Sequence, residues 1–430
     1  RIAISMAYLL ATNGLDRGQA YELVLGNNVI GRDADCDVHL NLPSVSRKHV
    51  RLVADDPHFT ISDLDSANGT KINGHPLTNP VSLQPGDVIT IADLEFSFVL
   101  ELPNMTENIS ENHRTNFQPT AALSTLQRRS ELLVLVRAFF YDHGFDEVET
   151  PVLSIDTVVD RHLFPIPVGI DNETYWLQTS PEFHMKRLLT VGMKAIYQIT
   201  RAFRHAEKGP HHNLEFTILE WYRTSWSTSD AITFLGSLVS TILSTNTHQT
   251  ISYQQAFMTA IEIDPLEDST EKLLHCIAGL DFQPPENWRN MDRDGWLDLL
   301  FAEYVQPTLG LHVPTILVDY PLSQAALARQ HPDNPKVADR FELFFHGLEL
   351  ANGYHELLDV QELRRRNDRN NRLREQDGQP RLPQESYLDT AMQSGLPDCC
   401  GVALGFDRLV MLAIGATDIS EVIAFPFDRA

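Results

Sequence analysis

The sequence predicts two domains of different class, a small all-β sandwich followed by a larger domain that mixes helices and strands. Between residues 8 and 101, β-branched and aromatic runs such as "HVRLV" and "FTISDL" are separated by Asn-Gly, Pro-Gly and Asp-rich turns, which is typical of a sandwich. The polar segment "PNMTENISENHRTNFQPT" has no apolar period and predicts a linker over residues 102–119. From residue 120 to residue 430, helical and strand patterns alternate.

The composition is that of a soluble globular protein and argues against a large nucleic-acid interface. The chain has 34 Lys+Arg against 58 Asp+Glu, a net charge of -24, whereas nucleic-acid affinity depends on cations facing phosphates. A local basic groove is still compatible with this balance. The four cysteines lack metal-ligand spacing, which favours a reducing cytoplasm, and no apolar run is long enough to span a membrane. The chain begins with Arg rather than Met, as a fragment would.

Three strings in the first domain carry groups that suit a phosphate: "IGRDADCDVHL", "SVSRKHV" and "SANGTKINGHPL". The guanidinium groups of Arg32 and Arg47, the hydroxyl of Ser46 and the amide of Asn68 all donate hydrogen bonds. Each Asn-Gly pair by itself has a simpler explanation, the closing of a hairpin.

In this order and spacing the strings resemble the forkhead-associated (FHA) domain over residues 5–101. The resemblance implies phosphothreonine binding through Arg32, Ser46, Arg47 and Asn68, with His49 bracing the loop. Ala67 stands where other readers often have Ser or Thr, so one polar contact is missing.

The second domain begins with a predicted helix and a predicted strand-to-helix turn. The string "LQRRSELLVLVRAFFYDHGF" places Leu132, Leu135, Val136, Phe139 and Phe140 on one helical face, and Pro151 predicts an edge strand soon afterwards. In "WLQTSPEFHMKRLL" we expect Ser180 at the N-cap, Pro181 at the first helical position and Glu182 in the first turn. Compensation of the helix dipole alone would also explain Glu182.

Carboxylates recur on the strands that follow. Alternation along "NLEFTILEWYR" places Glu220 and Tyr222 on one face, where the acid requires a cation. A structural ion pair would satisfy it equally well. In "DRFELFFHGLELANGYHELLD", Glu342 and Glu349 are predicted to lie on two antiparallel strands joined at Asn352-Gly353, with Mg²⁺ between the acids.

These strings together resemble the class II aminoacyl-tRNA synthetases. Pro151 after a long helix, Arg204 in "FRHAE…HHNLEFT" and Arg408 in "GVALGFDRL" correspond to motifs 1, 2 and 3 of that class. Residues 120–430 resemble its lysyl branch, and most closely the elongation factor P (R)-β-lysine ligase family. The resemblance implies an α+β core with an antiparallel sheet flanked by helices, and a homodimer.

The resemblance also implies a role for each matching residue. Arg204 would hold the α-phosphate of ATP and Arg408 its γ-phosphate, as the two catalytic groups. The implied ATP site comprises Arg204, Glu207, His212, Asn213, Phe216, Glu349, Leu350, Gly405 and Arg408, and Mg²⁺ would bind Glu342 and Glu349. The implied amino-acid site comprises Ser180, Pro181, Glu182, Glu220, Tyr222, Asn352, Tyr354, Glu356 and Ala403.

Two positions depart from the synthetase pattern. Ala206 replaces the usual motif 2 acid, and we expect the neighbouring Glu207 to act near ATP instead. Ala403 stands where lysyl-tRNA synthetases have glycine, and this alanine matches the β-lysine ligases.

The resulting hypothesis is ATP-dependent activation of (R)-β-lysine, or lysine, and its transfer to a lysine side chain of elongation factor P. The FHA-like domain would then bind a phosphothreonine protein, and this binding would recruit a partner or regulate the enzyme. Two alternatives stay open: aminoacylation of tRNA, which the missing anticodon-binding domain disfavours, and an inert phosphothreonine-binding scaffold. The six arginines of "ELRRRNDRNNRLRE" are expected to form local ion pairs rather than a docking surface.

Overall fold

The computed structural model describes residues 7–12, 20–33, 35–40, 42, 44–55, 58–100, 117–205, 209–245, 247–279, 288 and 291–430. The chain divides into two compact units, residues 1–117 and 118–430. The predicted linker falls almost wholly outside the described residues, as does Glu207, and the predicted domain bounds stay a prediction. In the part of the chain described, no helix is long and apolar enough to cross a membrane.

Within its described residues, the first unit is all β, as predicted. One sheet has the strand order β2-β1-β11-β10-β7-β8 and the other β4-β3-β5-β6-β9. Their inner faces bury Leu9, Ile30, Leu52, Ile61 and Phe98 in one core. The strands are β1 (Ala7–Ala11), β2 (Ala20–Leu23), β3 (Gly26–Gly31), β4 (Val38–His39), β5 (Val50–Asp55), β6 (His58–Asp63), β7 (Thr70–Ile72), β8 (His75–Pro76), β9 (Val81–Ser82), β10 (Val88–Ile91) and β11 (Leu94–Val99).

The second unit is built on a sheet that, within the described residues, has eight strands in the order β12-β16-β17-β22-β21-β20-β19-β18. The six central strands pair antiparallel, which confirms the predicted class. Its strands are β12 (Asp146–Glu147), β16 (Ala195–Phe203), β17 (Glu215–Thr224), β18 (Gln249–Ser252), β19 (Thr315–Pro321), β20 (Val337–Phe345), β21 (Leu348–His355) and β22 (Cys399–Gly405). A smaller sheet contains β13 (Leu153–Ser154), β14 (Ile166–Ile170) and β15 (Glu173–Leu177).

Helices flank this sheet. They are α1 (Leu123–Asp142), α2 (Glu182–Thr190), α3 (Thr228–Leu243), α4 (Tyr253–Ile261), α5 (Thr270–Gly279), α6 (Arg293–Leu300), α7 (Val360–Gln376), α8 (Tyr387–Gln393) and α9 (Phe406–Ile414). Helix α1 packs on the sheet through the fully buried Leu132, Val136 and Phe140. The predicted apolar face is too wide, because Leu135 is exposed.

The turn between β20 and β21 lies at His346-Gly347 and not at the predicted Asn352-Gly353. His346 and Gly347 have positive φ angles of 51° and 72°. Asn352 and Gly353 belong to β21 instead, and a Cβ on Gly353 would lie 2.4 Å from the ring of Phe341. This glycine therefore permits close packing within the sheet rather than a turn.

Candidate active site

One row of directly paired residues crosses the centre of the large sheet. Glu220 on β17 pairs with Ala403 on β22, which pairs with Asn352 on β21, which pairs with Glu342 on β20. Directly opposed residues share a face, so these four side chains point to the same side of the sheet. The antiparallel register thus joins residues that are far apart in the sequence into one polar surface.

The next row on that face comprises Tyr222, Gly401, Tyr354 and Arg340. A Cβ on Gly401 would lie 2.2 Å from the Tyr222 ring and 2.4 Å from Glu356 Oε1. Only glycine therefore leaves room for both side chains at this point.

A cavity of about 850 Å³ lies over this face and brings the two predicted half-sites together. Arg204 and Arg408 line it, and so do Glu182 and Glu356. The other predicted residues that line it are Ser180, His212, Asn213, Phe216, Glu220, Tyr222, Glu342, Glu349, Leu350, Asn352, Tyr354, Ala403 and Gly405. Pro181 does not line the cavity.

Pro181 is instead the N-cap of α2, which begins one residue later than predicted, at Glu182. Ser180 still caps this end, because its Oγ accepts a hydrogen bond from the Glu182 backbone N–H at 3.0 Å. The same hydroxyl donates to Glu220 Oε2 at 2.8 Å. Ser180 thereby connects the helix start to the carboxylate on β17.

Glu220 is buried in the half of the cavity that was predicted to bind the amino acid. Its Oε1 accepts a hydrogen bond from the Tyr222 hydroxyl at 2.6 Å. Burial and the nearby Glu182 carboxylate raise the pKa of Glu220 to about 7, although the hydrogen bonds from Tyr222 and Ser180 counteract part of that rise. The group therefore changes its charge near neutral pH.

Lys186 on α2 is the principal residue that the sequence interpretation missed. Its ammonium, on a side chain only 3% exposed, forms ion pairs with Glu182, one helical turn away, and with Glu356 Oε2 at 2.5 Å. Burial favours the neutral amine, but the two facing carboxylates outweigh it and hold the pKa of Lys186 above its ordinary value. The i,i+4 spacing of Glu182 and Lys186 was the only signal in the sequence.

Two arginines line the other half of the cavity. The guanidinium carbon of Arg204 lies 5.0 Å from the centroid of the Phe216 ring. Arg408, near the start of α9, donates to the Glu349 carbonyl oxygen at 2.8 Å, and its Nη2 lies 2.6 Å from His212 Nε2. Both groups are half-buried, which strengthens their attraction for an anion relative to open solvent.

Asn213 also lines this half, but its side-chain amide is engaged with the backbone. It donates to the Glu215 carbonyl oxygen at 2.5 Å and accepts from the Phe427 N–H at 3.0 Å. The structure thus gives this amide a part in holding the loop before β17 to the C-terminal turn.

Glu342 and Glu349 lie on facing strands and line the cavity between its two halves. Glu342 accepts a hydrogen bond from Tyr320 at 2.5 Å and pairs with Arg340, whereas the Glu349 side chain is 41% exposed. Burial raises the pKa of Glu342, Arg340 opposes that rise, and repulsion from Glu349 adds to it. Among the described residues, no group of three or more His, Cys, Asp or Glu side chains could hold a metal by itself.

A buried ion pair supports the start of α9. Asp407 pairs with Arg129 of α1 at 2.6 Å, and its other oxygen accepts from the Thr217 backbone N–H at 2.7 Å. Arg129 also donates to the Thr217 hydroxyl at 2.7 Å. Since Asp407 precedes Arg408, this network ties the cavity arginine to α1 and β17.

The predicted phosphate-binding groups of the first unit lie on neighbouring loops. The Ser46 hydroxyl accepts from the Ala67 backbone N–H at 3.0 Å, and the Asn68 amide donates to the Ser44 carbonyl oxygen at 2.7 Å. The fully buried His49 accepts from the Ser46 N–H at 3.0 Å and contacts the Gly69 carbonyl oxygen at 3.1 Å, the bracing that was predicted.

The side chains of Arg32 and Arg47 are exposed on the same loops, where Arg32 N–H donates to the Ser46 carbonyl oxygen at 3.0 Å. A Cβ on Gly31 would lie 2.3 Å from the Arg47 carbonyl oxygen, so the two loops approach closely only because residue 31 is glycine.

Comparison with known proteins assigns both units. The family model "tRNA synthetases class II (D, K and N)" matches residues 106–429, and the FHA domain model matches residues 28–92. The chain therefore belongs to the class II synthetase family and also contains an FHA domain. It is an ATP-dependent ligase with a class II synthetase core.

Relatives named "Elongation factor P--(R)-beta-lysine ligase" match this core. The proteins of Yersinia enterocolitica and Klebsiella pneumoniae are each 44% identical, over 321 and 320 residues, and that of Salmonella typhi is 43% identical over 320. Each match covers 73% of this chain and 98% of the relative.

Proposed function

We propose that this protein joins (R)-β-lysine, or lysine, to a lysine side chain of elongation factor P at the expense of ATP. The observation that carries the proposal is the shared cavity: Arg204 and Arg408 line one half of it, and buried carboxylates line the other. An anionic nucleotide and an amino acid with two ammonium groups are the ligands that such a division suits. The names of the relatives support the amino acid and the acceptor.

The chemistry requires alignment and charge stabilisation but no protein nucleophile. A carboxylate oxygen of the amino acid attacks the α-phosphorus of ATP, and pyrophosphate leaves. The amine of the acceptor lysine then attacks the carbonyl carbon, loses its proton and expels AMP. Arg204 would stabilise charge on the α-phosphate during both steps, and Arg408 would hold the departing phosphates.

Mg²⁺ would bind Glu342 and Glu349, with the phosphates of ATP supplying further oxygen ligands. The two carboxylates suit this ion because they face one cavity from adjacent strands and repel each other. When bound, Mg²⁺ neutralises phosphate charge and thereby assists the departure of pyrophosphate.

The amino acid would lie over the row that contains Glu220, Ala403 and Asn352. Asn352 Oδ1 is buried and has no hydrogen-bond partner within the described residues, so it is available to accept from a substrate ammonium. Ala403 lies between Glu220 and Asn352 in the register and adds a methyl group to the floor. Glu182 and Glu356 would complete the pocket beside Tyr222 and Tyr354.

We also propose that the protein is a homodimer joined through α1. Leu123, Val134 and Tyr141 are 71%, 66% and 80% exposed. They are separated by about three and two helical turns, so they lie on one side of α1, opposite its buried face. Large apolar side chains exposed on one side of a helix suit a protein interface.

For the FHA domain we propose binding of a phosphothreonine peptide by Arg32, Ser46, Arg47 and Asn68. Two exposed guanidinium groups beside a hydroxyl and an amide suit the phosphate oxygens. Such binding would recruit a partner or regulate the ligase.

The deciding experiment is ATP–pyrophosphate exchange with lysine, (R)-β-lysine and (S)-β-lysine, followed by transfer to purified elongation factor P. We expect exchange with at least one of the three, loss of exchange in Arg204→Ala, and labelling of elongation factor P. Exchange without labelling would refute the acceptor, and labelling of tRNA at a comparable rate would favour aminoacylation. No exchange with any diamino acid would leave an inert phosphothreonine reader.

A further inference from the structure

We propose that Lys186 is a positioning residue that sets the charge of the amino-acid pocket and so selects substrates with two ammonium groups. The inference rests on the proposed function and deepens it. Glu182 and Glu356, its partners in ion pairs, line the cavity, whereas Lys186 itself does not. Lys186 therefore acts through these two carboxylates rather than by touching the substrate.

The charges of this half do not balance by themselves. Glu182, Glu220 and Glu356 are 7%, 1% and 1% exposed, and Lys186 is the ammonium buried among them. Arg340, the next cation along the sheet, is already paired with Glu342. When all three acids are ionised, one ammonium leaves two negative charges uncompensated.

A diamino acid restores the balance. It brings two ammonium groups, and its own carboxylate loses its charge when it is joined to the α-phosphate. An amino acid with a single ammonium would leave one buried negative charge without a partner or oblige one carboxylate to take up a proton, and either outcome weakens its binding. The pocket therefore discriminates by total charge as well as by shape.

The position of Lys186 explains how the balance is kept during the reaction. It is anchored on α2, one turn from Glu182, and its Nζ lies 5.9 Å from the centre of the Tyr222 ring. A cation fixed in this way cannot leave with the product, and it keeps Glu182 and Glu356 from repelling each other in the empty pocket. Glu220, which receives hydrogen bonds from Ser180 and Tyr222 instead, stays available for the substrate.

The test alters the charge count and measures discrimination. Pyrophosphate exchange gives kcat/KM for the preferred diamino acid and for its analogue in which a hydroxyl replaces the side-chain ammonium, which is 6-hydroxynorleucine for lysine and 3-amino-6-hydroxyhexanoic acid for β-lysine. Glu356→Gln leaves one net negative charge, and we expect its preference for the diamino acid to fall by about tenfold or more. The double variant Lys186→Met/Glu356→Gln again has two net negative charges in the pocket, and we expect most of the preference for the diamino acid to return.

A purely structural role predicts a different result. If Lys186 only stabilised the fold, its loss would not restore the preference, and the double variant would discriminate no better than Glu356→Gln. That outcome, or an unchanged preference in Glu356→Gln itself, would overturn the inference. Lys194→Met removes an exposed lysine shortly after α2 and should leave the preference unchanged.

Two further measurements keep the outcomes apart. The double variant Lys186→Met/Glu182→Gln carries the same charge and gives an independent reading if the first double variant fails to fold. Wild-type protein that exchanges pyrophosphate with no diamino acid would refute the proposed function and this inference together. If the wild type is active but the preference of its variants for the diamino acid does not change with the net charge of the pocket, only the role of Lys186 is refuted.

Discussion

The charge of Glu220 provides a pH-dependent test of the amino-acid site. Because burial and Glu182 raise the pKa of Glu220 to about 7, the carboxylate in the empty pocket gains a proton as the pH falls through neutrality. A substrate ammonium binds the ionised form, so binding lowers this pKa and releases a proton. The sign is therefore fixed: affinity for the amino acid rises with pH.

The expected size follows from the titration. With a pKa of about 7, roughly a tenth of the molecules have an ionised Glu220 at pH 6 and roughly nine-tenths at pH 8. The KM for the diamino acid should fall by about tenfold between these values, while the KM for ATP changes little. Pyrophosphate exchange at saturating ATP measures the KM for the diamino acid, and exchange at saturating amino acid measures the KM for ATP.

A variant of the hydrogen-bond partner sharpens this test. Tyr222→Phe removes a hydrogen bond that stabilises the ionised carboxylate of Glu220. The midpoint of the pH dependence of the KM for the diamino acid should therefore move up by about one pH unit. Tyr175→Phe, on the small sheet, serves as the matched control. Ser180, Glu182, Lys186 and Glu356 also lie near Glu220 and are unchanged in both variants. Burial raises the pKa of Glu356 as well, so its protonation at low pH weakens binding in the same direction. A KM that is flat from pH 6 to pH 8, or a midpoint that Tyr222→Phe does not move, would refute the reasoning.

Three further predictions concern stability, assembly and peptide binding. Asp407→Asn should lower the free energy of unfolding in urea by about 3–5 kcal/mol, because Arg129 keeps a buried charge without its partner. A loss of unfolding free energy no larger than that of the control variant Asp428→Asn would contradict this. Val134→Glu should convert the proposed dimer to a monomer in sedimentation velocity, whereas the exposed-site control Val191→Glu should not. A dimer that persists in Val134→Glu would exclude α1 as the interface. Ser46→Ala should weaken binding of a phosphothreonine peptide by about tenfold in fluorescence anisotropy, with Ser62→Ala as the control. Equal peptide affinities of Ser46→Ala and the wild type would count against the proposed loop site.

The parts of the site that could be predicted from the sequence are those that depend on local spacing. Glu220 and Tyr222 share a face because they are two residues apart on one strand, and Arg408 follows from a strand-to-helix pattern. Their meeting in one cavity required the strand order, which the resemblance supplied and spacing alone did not.

Other features depend on contacts that no local pattern encodes. Lys186 meets Glu356 only because the sheet brings the end of β21 to the start of α2, 170 residues earlier in the chain. The hairpin was misplaced because two Xaa-Gly pairs compete for one turn, and the choice depends on how Phe341 packs against Gly353. Leu135 is exposed although it fits the apolar period, since the sheet covers only part of that face of α1.

The separation of charge within the cavity also explains how a chain with a net charge of -24 can bind ATP. Charges on the outer surface are screened over about 8 Å at physiological ionic strength, so most of the acidic surface has little effect on a ligand inside the cavity. In the proposed binding mode, Arg204 and Arg408 would act on the phosphates from within the cavity, and Arg340 pairs with Glu342 beside them. In the proposed binding mode, the buried carboxylates Glu182, Glu220 and Glu356 would attract ammonium groups. Overall charge therefore argues against an extended polyanion such as tRNA without arguing against a nucleotide.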